Sequence, residues 1–465
     1  MPPEPSPAPQ DGRIEPSRTS VAPPAPPPPR RPFFYGWVVV GIAFVTMGIG
    51  VNTRTAFSLL FPPILDEFGW PRGATAGVFS IGFLASATYS PFIGAAMDRF
   101  GPRRVIPFGV LVVASGLLLA TLARVPWQMV LTLGMLVTGG TVMFSYIGHS
   151  MFVPLWFSRR RGLAVGLAFS GVGVGAIVLF PAIQHVIAAS GWRMACVALA
   201  ALLVAVVLPL NFLFQRQRPE DMGLLPDGAS ASAGEAQREA LHAAVVDRAW
   251  ADTDWTLRRA MATRRFWWLG LAYFCGLFAW YAVQVHQTKY LVEIGIAPEA
   301  AAFALGLVGL TGVVGQIGLG HLSDRIGREW VWSLAVGGFA VCYGLLLVLR
   351  THPAPVLMYA MVASQGLLGY GLASVYGIIP ADLFQGRHYG TVFGVVSLQA
   401  SLGAGAGPWA AGAIQDRFGS YGPAFWLALV LCGVSIGAMW LAAPRKVRIV
   451  AGQVARQRRR TGGAR

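Results

Sequence analysis

Between Gly36 and Leu441 the chain alternates long, continuous apolar runs with short polar interruptions. A membrane-crossing helix needs about 20 mostly apolar residues, whereas the strands of a membrane barrel alternate every second residue. The runs here are unbroken, so they predict helices. Twelve spans result: 36–61, 74–97, 104–123, 126–154, 160–187, 192–214, 265–291, 299–321, 330–350, 355–381, 389–413 and 421–441. The expected organisation is a Pro-rich tail (1–34), a six-helix bundle (35–214), a polar linker (215–264), a second six-helix bundle (265–443) and a basic tail (444–465). The first 32 residues hold 13 of the 32 prolines, a composition that predicts an extended, disordered segment.

Composition sharpens this picture. Of 465 residues, 55% are hydrophobic and 12% charged, with a mean hydropathy of +0.57. Soluble domains carry about 25% charged residues, so a soluble enzyme and a disordered chain are both disfavoured and an all-α membrane protein is expected. The four cysteines (Cys196, Cys275, Cys342, Cys432) all fall inside apolar runs without CxxC spacing and are expected to be buried small hydrophobes.

The net charge of +16 would invite a nucleic-acid reading, but its distribution argues otherwise. With both termini and the 215–264 linker on one side, 29 of the 36 Lys and Arg residues lie on that side, against five in the opposite loops. Cytoplasmic loops carry such an excess, so both termini are placed in the cytoplasm. Anionic lipid headgroups are a sufficient partner for these charges, the Arg456–Arg460 cluster included. No HExxH, paired Cys/His ligand set, G-x-S-x-G elbow or phosphate-cradling GxxxxGK[ST] occurs, so no enzyme, cofactor or metal site is expected.

The chain repeats itself. GAAMDRFGPRR (Gly94–Arg104) returns as GHLSDRIGREW (Gly320–Trp330), with Gly94, Asp98, Arg99 and Gly101 matching Gly320, Asp324, Arg325 and Gly327 at an offset of 226. Gly162, Gly166, Gly175 and Gly191 match Gly390, Gly394, Gly403 and Gly419 at an offset of 228. Parallel six-helix repeats with a site at their interface describe one kind of secondary transporter. The two DRxG loops resemble the signature loops of the major facilitator superfamily. Tyr35-Gly36-Trp37, the run Trp156–Gly173 (WFSRRRGLAVGLAFSGVG), Gly191-Trp192-Arg193 and RPEDMGLLPDG (Arg218–Gly228) resemble its monocarboxylate transporter-like branch, the last two its bacterial members. The resemblance implies an alternating-access transporter in a bacterial cytoplasmic membrane, and a monomer is expected.

Asp98 and Asp324 sit at helix ends where a carboxylate suits capping a helix N-terminus in the opposite half, near Tyr389 or Arg160. The resemblance makes this a cytoplasmic latch, with Asp98, Arg99, Arg103, Asp324, Arg325, Arg328 and Asp382 as its gating set. The glycines of spans 5 and 11 lie at helix-contact spacings, which static packing explains as well as motion does.

Arg54 lies about 18 residues into span 1. An unpaired Arg there costs at least ~2.5–3.5 kcal/mol, yet all twenty Asp and Glu fall in tails, loops or helix ends. Either Arg54 reaches the outer interface or an anionic substrate completes it. Lys289 is expected at the outer mouth, paired with Glu293 or attracting anions. The other candidate cavity residues are Asn52, Tyr146, Trp280, Tyr281, Gln284, His286, Gln316, Gln365, Tyr370, Tyr376 and Gln399. Many relatives in the resembled branch carry a carboxylate-holding Arg on span 8, where Gln316 stands here, and some carry an acidic residue there for proton coupling, which is absent. His149, His185 and His286 are the remaining groups titrating near neutrality. The expected function is secondary transport of a small organic anion, foremost a monocarboxylate, by proton symport or anion exchange. The alternatives are an exporter of amphipathic or cationic molecules and a non-transporting sensor of the same fold.

Overall fold

A computed structural model describes residues 33–69, 72–228 and 244–462. Most of the Pro-rich tail and the middle of the linker therefore lie outside the described residues. Among those described, regular structure is helical apart from one isolated antiparallel bridge, Val245 with Arg448.

The first bundle comprises α1 (Gly36–Thr55), α2 (Arg72–Phe100), α3 (Pro102–Ala120), α4 (Pro126–Trp156) and the run Arg161–Phe214. That run divides at Gly191 into α5 (161–190) and α6 (192–214). Gly191 has φ +80° and ψ 169°, a conformation open to glycine and strained for other residues. The second bundle comprises α7 (Arg264–Glu293), α8 (Pro298–Ile326), α9 (Arg328–Leu349), α10 (Pro355–Leu383), α11 (Tyr389–Phe418) and α12 (Gly422–Ala442). Nine stretches among the described residues are long and apolar enough to cross a membrane by themselves, α5 and α6 counting as one. α2 and α11 complete the twelve. These two pack along each other across the two halves, as α5 and α8 do. Their small residues meet protein rather than lipid, so they can be less apolar.

The repeat in sequence is a repeat in packing. A Cβ on Gly175 would stand 2.4 Å from the Gly48 carbonyl oxygen, and one on Gly403 2.1 Å from that of Phe274. These contacts join α1 to α5 and α7 to α11 at matching places in the two bundles. Elsewhere large apolar side chains such as Phe92, Leu122, Trp409 and Trp426 are more than half exposed. Water would penalise such a surface, whereas lipid solvates it; the protein is an integral membrane protein.

α4 and α10 depart from the regular helices the sequence predicts. α4 runs in π form over Val130–Gly139 and in 3-10 form over Thr141–Phe144, then breaks at an extended Ser145 before Tyr146–Ser150. α10 passes through a π stretch at Ser364–Leu368 and a 3-10 turn at Gly369–Gly371. The 3-10 turns fall at the same repeat offset of 228. Irregular backbone at membrane depth is tolerated where protein or a cavity surrounds it.

The linker flanks are ordered against the bundles. Asp227 accepts hydrogen bonds from the backbone N–H groups of Ser158 and Arg159, both at 3.0 Å, and from the Ser158 hydroxyl. The indole of Trp250 donates to the Leu383 carbonyl at 2.7 Å. The basic tail forms a last helix, α13 (Ala451–Gly462), and Gln453 donates from it to the Ile326 carbonyl at 2.9 Å.

Candidate functional site

A central cavity lies between the halves. α1 contributes Arg54, α2 Phe83 and Ser86, and α4 the segment from Ser145 to Ile147. The second half supplies Leu277, Trp280 and Tyr281 from α7, Tyr376 from α10, and Ala400, Ser401 and Ala404 from α11. Arg54 is the one charged residue on this wall among the described residues. It sits in the last turn of α1, where a cation suits the partial negative charge of the helix end. Its guanidinium lies 5.0 Å from the Phe83 ring centroid, and no carboxylate among the described residues pairs with it. The side chain is half-buried.

Of the residues singled out in the sequence, Arg54, Tyr146, Trp280, Tyr281 and Tyr376 line the cavity. Two stand directly behind it. Gln284 accepts the Trp280 indole N–H at 2.9 Å, and Tyr370 packs on that indole at 4.7 Å. The others hold helices together or lie elsewhere. Asn52 donates to the carbonyls of Gly48 (2.6 Å) and Val172 (2.8 Å), tying α1 to α5. His286 bridges the Pro408 carbonyl (2.9 Å) and the Tyr421 hydroxyl (3.1 Å), tying α7 to α11 and α12. Gln399 packs against Gly270 of α7. Gln316 is buried and hydrogen-bonded to the wall residue Tyr146, and Gln365 is buried off the wall. Lys289 is 69% exposed and 3.7 Å from Glu293. His149 is buried, its ring Nδ1 3.2 Å from the Ser145 carbonyl. All four cysteines are free and buried.

At the end carrying the DRxG loops, the halves interlock in two repeat-related places. The Asp98 carboxylate accepts the backbone N–H groups of Gly390 and Thr391, each at 2.8 Å, and the Thr391 hydroxyl at 2.8 Å. Asp324 accepts the N–H groups of Gly162 (3.0 Å) and Leu163 (3.2 Å). Each carboxylate thus satisfies N–H groups left open at the first turn of α11 or α5. Glycine allows the approach: a Cβ on Gly162 would stand 2.0 Å from the Gly320 carbonyl oxygen, and one on Gly94 2.1 Å from that of Gly390.

Asp382 joins Arg161 of the first half (2.8 Å) to Arg328 of the second (3.4 Å), and Arg328 also reaches Asp324 at 2.8 Å. Among the described residues the other three arginines of the gating set do not pair across the halves. Arg99 lies over Phe100, Arg103 donates to the Phe212 carbonyl at 2.8 Å, and Arg325 is exposed.

Sequence reasoning missed three features. Arg161 looked like one more topology-setting charge, because its partner Asp382 is 221 residues away. Phe83, Ala400 and Ala404 of the wall carried no polar signal, and Ser86 and Ser401 were not singled out. The contact below the cavity was also hidden: Gly377 of α10 packs on Ser150 of α4, and the Tyr389 hydroxyl donates to the Gly377 carbonyl at 2.6 Å while lying 3.3 Å from that of Ser150. The repeat offset relates Tyr389 to Arg161, and that equivalence was the available clue.

Two six-helix bundles sharing a central cavity, interlocked at one end by repeat-related contacts, define a membrane transporter built from two similar halves. The profile of the Major Facilitator Superfamily matches residues 38–318 and 269–461. Monocarboxylate transporter 13 of Bos taurus is 26% identical over 403 residues, covering 85% of this chain and 86% of that protein. Monocarboxylate transporter 12 of Homo sapiens is 25% identical over 423 residues, covering 86% and 78%. Among solved structures, the E. coli fucose:proton symporter FucP aligns with a TM-score of 0.63 at 15% identity, over 88% of this chain and 100% of its own. The proton:xylose symporter XylE, bound to 6-bromo-6-deoxy-D-glucose, aligns at 0.69 and 15%, over 88% and 95%. The chain belongs to the major facilitator superfamily.

Proposed function

We propose that the protein is a secondary active transporter moving a small organic anion, foremost a monocarboxylate, across the cytoplasmic membrane by alternating access. The observation that carries this reading is Arg54: a half-buried guanidinium on the wall of a central cavity, without a carboxylate partner among the described residues. A cation in that position is costly unless completed by an anion, and an arriving carboxylate would supply two oxygens to the guanidinium fork. The similarity to proteins named monocarboxylate transporters supports the same class of cargo.

Alternating access needs contacts made in one state and released in the other. The Asp98, Asp324 and Asp382 contacts are such a set, gathered at one end. With both termini cytoplasmic, this is a state closed towards the cytoplasm. Among the described residues the cavity wall has no Asp, Glu or His. A proton taken in symport would therefore travel on the substrate or on a group behind the wall, while exchange for a second anion needs neither.

The test is uptake by proteoliposomes of a panel of labelled monocarboxylates. Arg54→Gln should abolish saturable uptake while thermal stability stays within ~1 kcal/mol of the parent. An unchanged KM in that variant removes Arg54 from the site, and transport of cationic dyes without anions would favour the exporter. An imposed proton gradient and trans-loaded anion, applied separately, distinguish symport from exchange.

A further inference from the structure

Five aromatic side chains reach the cavity: Phe83 and Tyr146 from the first half, Trp280, Tyr281 and Tyr376 from the second. Each is steadied by a neighbour. The Trp280 indole is held by Gln284 and Tyr370. Tyr376 stacks on Tyr273 at 4.9 Å, and Tyr146 stands edge-on to Phe169 at 5.0 Å. Tyr281 stands edge-on to Phe83 at 5.9 Å, and the Arg54 guanidinium lies over that same Phe83 ring. Rings already fixed in place bind a flat apolar group without a large ordering cost.

Two hydroxyls on the wall are already committed. Ser86 is shared between the carbonyls of Gly82 (2.9 Å) and Thr138 (3.0 Å), and Ser145 donates to Val142 at 3.3 Å.

Resting on the reading that Arg54 takes a carboxylate, we propose that the cargo is a monocarboxylate with an aromatic body. Its carboxylate meets the Arg54 guanidinium, and its ring packs beside the Phe83–Tyr281 pair within the aromatic wall.

Calorimetric titration of the purified protein with three matched probes tests this: propionate, 3-phenylpropionate and the uncharged 3-phenylpropanol. The expected result is 3-phenylpropionate binding at least about tenfold more tightly than propionate, and 3-phenylpropanol more weakly than 3-phenylpropionate. Tyr281→Leu should shrink the ratio between the two acids by about threefold or more, whereas Arg54→Gln should weaken both. Propionate binding as tightly as its phenyl derivative overturns the aromatic body and leaves the anion reading standing. So does an unchanged ratio in Tyr281→Leu. If 3-phenylpropanol binds as tightly as the acid, or neither acid binds up to about 10 mM, the anion reading falls and this proposal with it.

Discussion

Gly162→Ala isolates the closed end of the two halves. The added Cβ would stand 2.0 Å from the Gly320 carbonyl oxygen and 2.2 Å from the Ser323 Oγ, where ordinary contact begins at 3.4 Å. The carbonyl belongs to the α8 backbone and cannot rotate away. α5 and α8 must therefore part locally by about 1.4 Å. That movement also takes the Gly162 and Leu163 N–H groups out of hydrogen-bond range of Asp324, now at 3.0 and 3.2 Å. Overpacking of this kind costs about 1–3 kcal/mol, and ~1.4 kcal/mol is already tenfold in a two-state equilibrium. The helix preference for Ala over Gly acts on both states alike, so folding should survive.

The readout is a reporter thiol, Ser401→Cys, on the cavity wall, with an impermeant maleimide supplied from either face of oriented proteoliposomes. The four native cysteines are buried and contribute little background. Gly162→Ala should lower the ratio of outside to inside labelling by at least about tenfold. Gly405→Ala is the control, since a Cβ there meets nothing within 4 Å. An unchanged ratio in Gly162→Ala, or an equal shift in the control, would refute the steric account of the closed end.

Asp382→Asn leaves two mostly buried guanidinium groups, Arg161 and Arg328, short of a partner. It should cost about 3–5 kcal/mol and lower Tm more than Arg161→Gln does; equal losses would count against Asp382 as the shared centre. Asp227→Ala removes three hydrogen bonds between the linker and the residues preceding α5. It should destabilise that docking by about 1–3 kcal/mol and speed tryptic cleavage of the linker, and unchanged cleavage would dismiss the contact. Hydrogen bonds from Arg193 and Trp192 hold the Glu67 carboxyl below its ordinary value of 4.5. The stability it contributes is present above that value and lost as pH falls through the depressed one. Glu67→Gln should flatten this acid limb of thermal stability and change little at neutral pH, because both partners are about 40% exposed.

Much of this protein is written locally. Each span reads from its own apolar run, because a helix in lipid satisfies its backbone within itself. The doubling reads from Gly and Asp positions at constant offsets, because each half solves the same packing problem. Asp98 and Asp324 were legible as helix caps because a carboxylate suits the open N–H groups of a helix N-terminus, and their latch role was read from the resemblance of the DRxG loops. Local pattern could not say which polar residues face the cavity. Asn52 and His286 have the same chemistry as wall residues, yet the structure gives them to carbonyls of neighbouring helices. The breaks in α4 and α10 were hidden as well, since their sequences are as apolar as those of regular helices and only their neighbours make the irregular backbone tolerable. Partners such as Arg161 and Asp382, or Gly377 and Ser150, are joined by the crossing of the two halves. Sequence alone thus determined twelve helices and their twofold repetition, because hydrophobicity and backbone satisfaction act within each segment. Tertiary structure decided the wall of the cavity and the stitching at its closed end, because those depend on which helix faces meet across hundreds of residues.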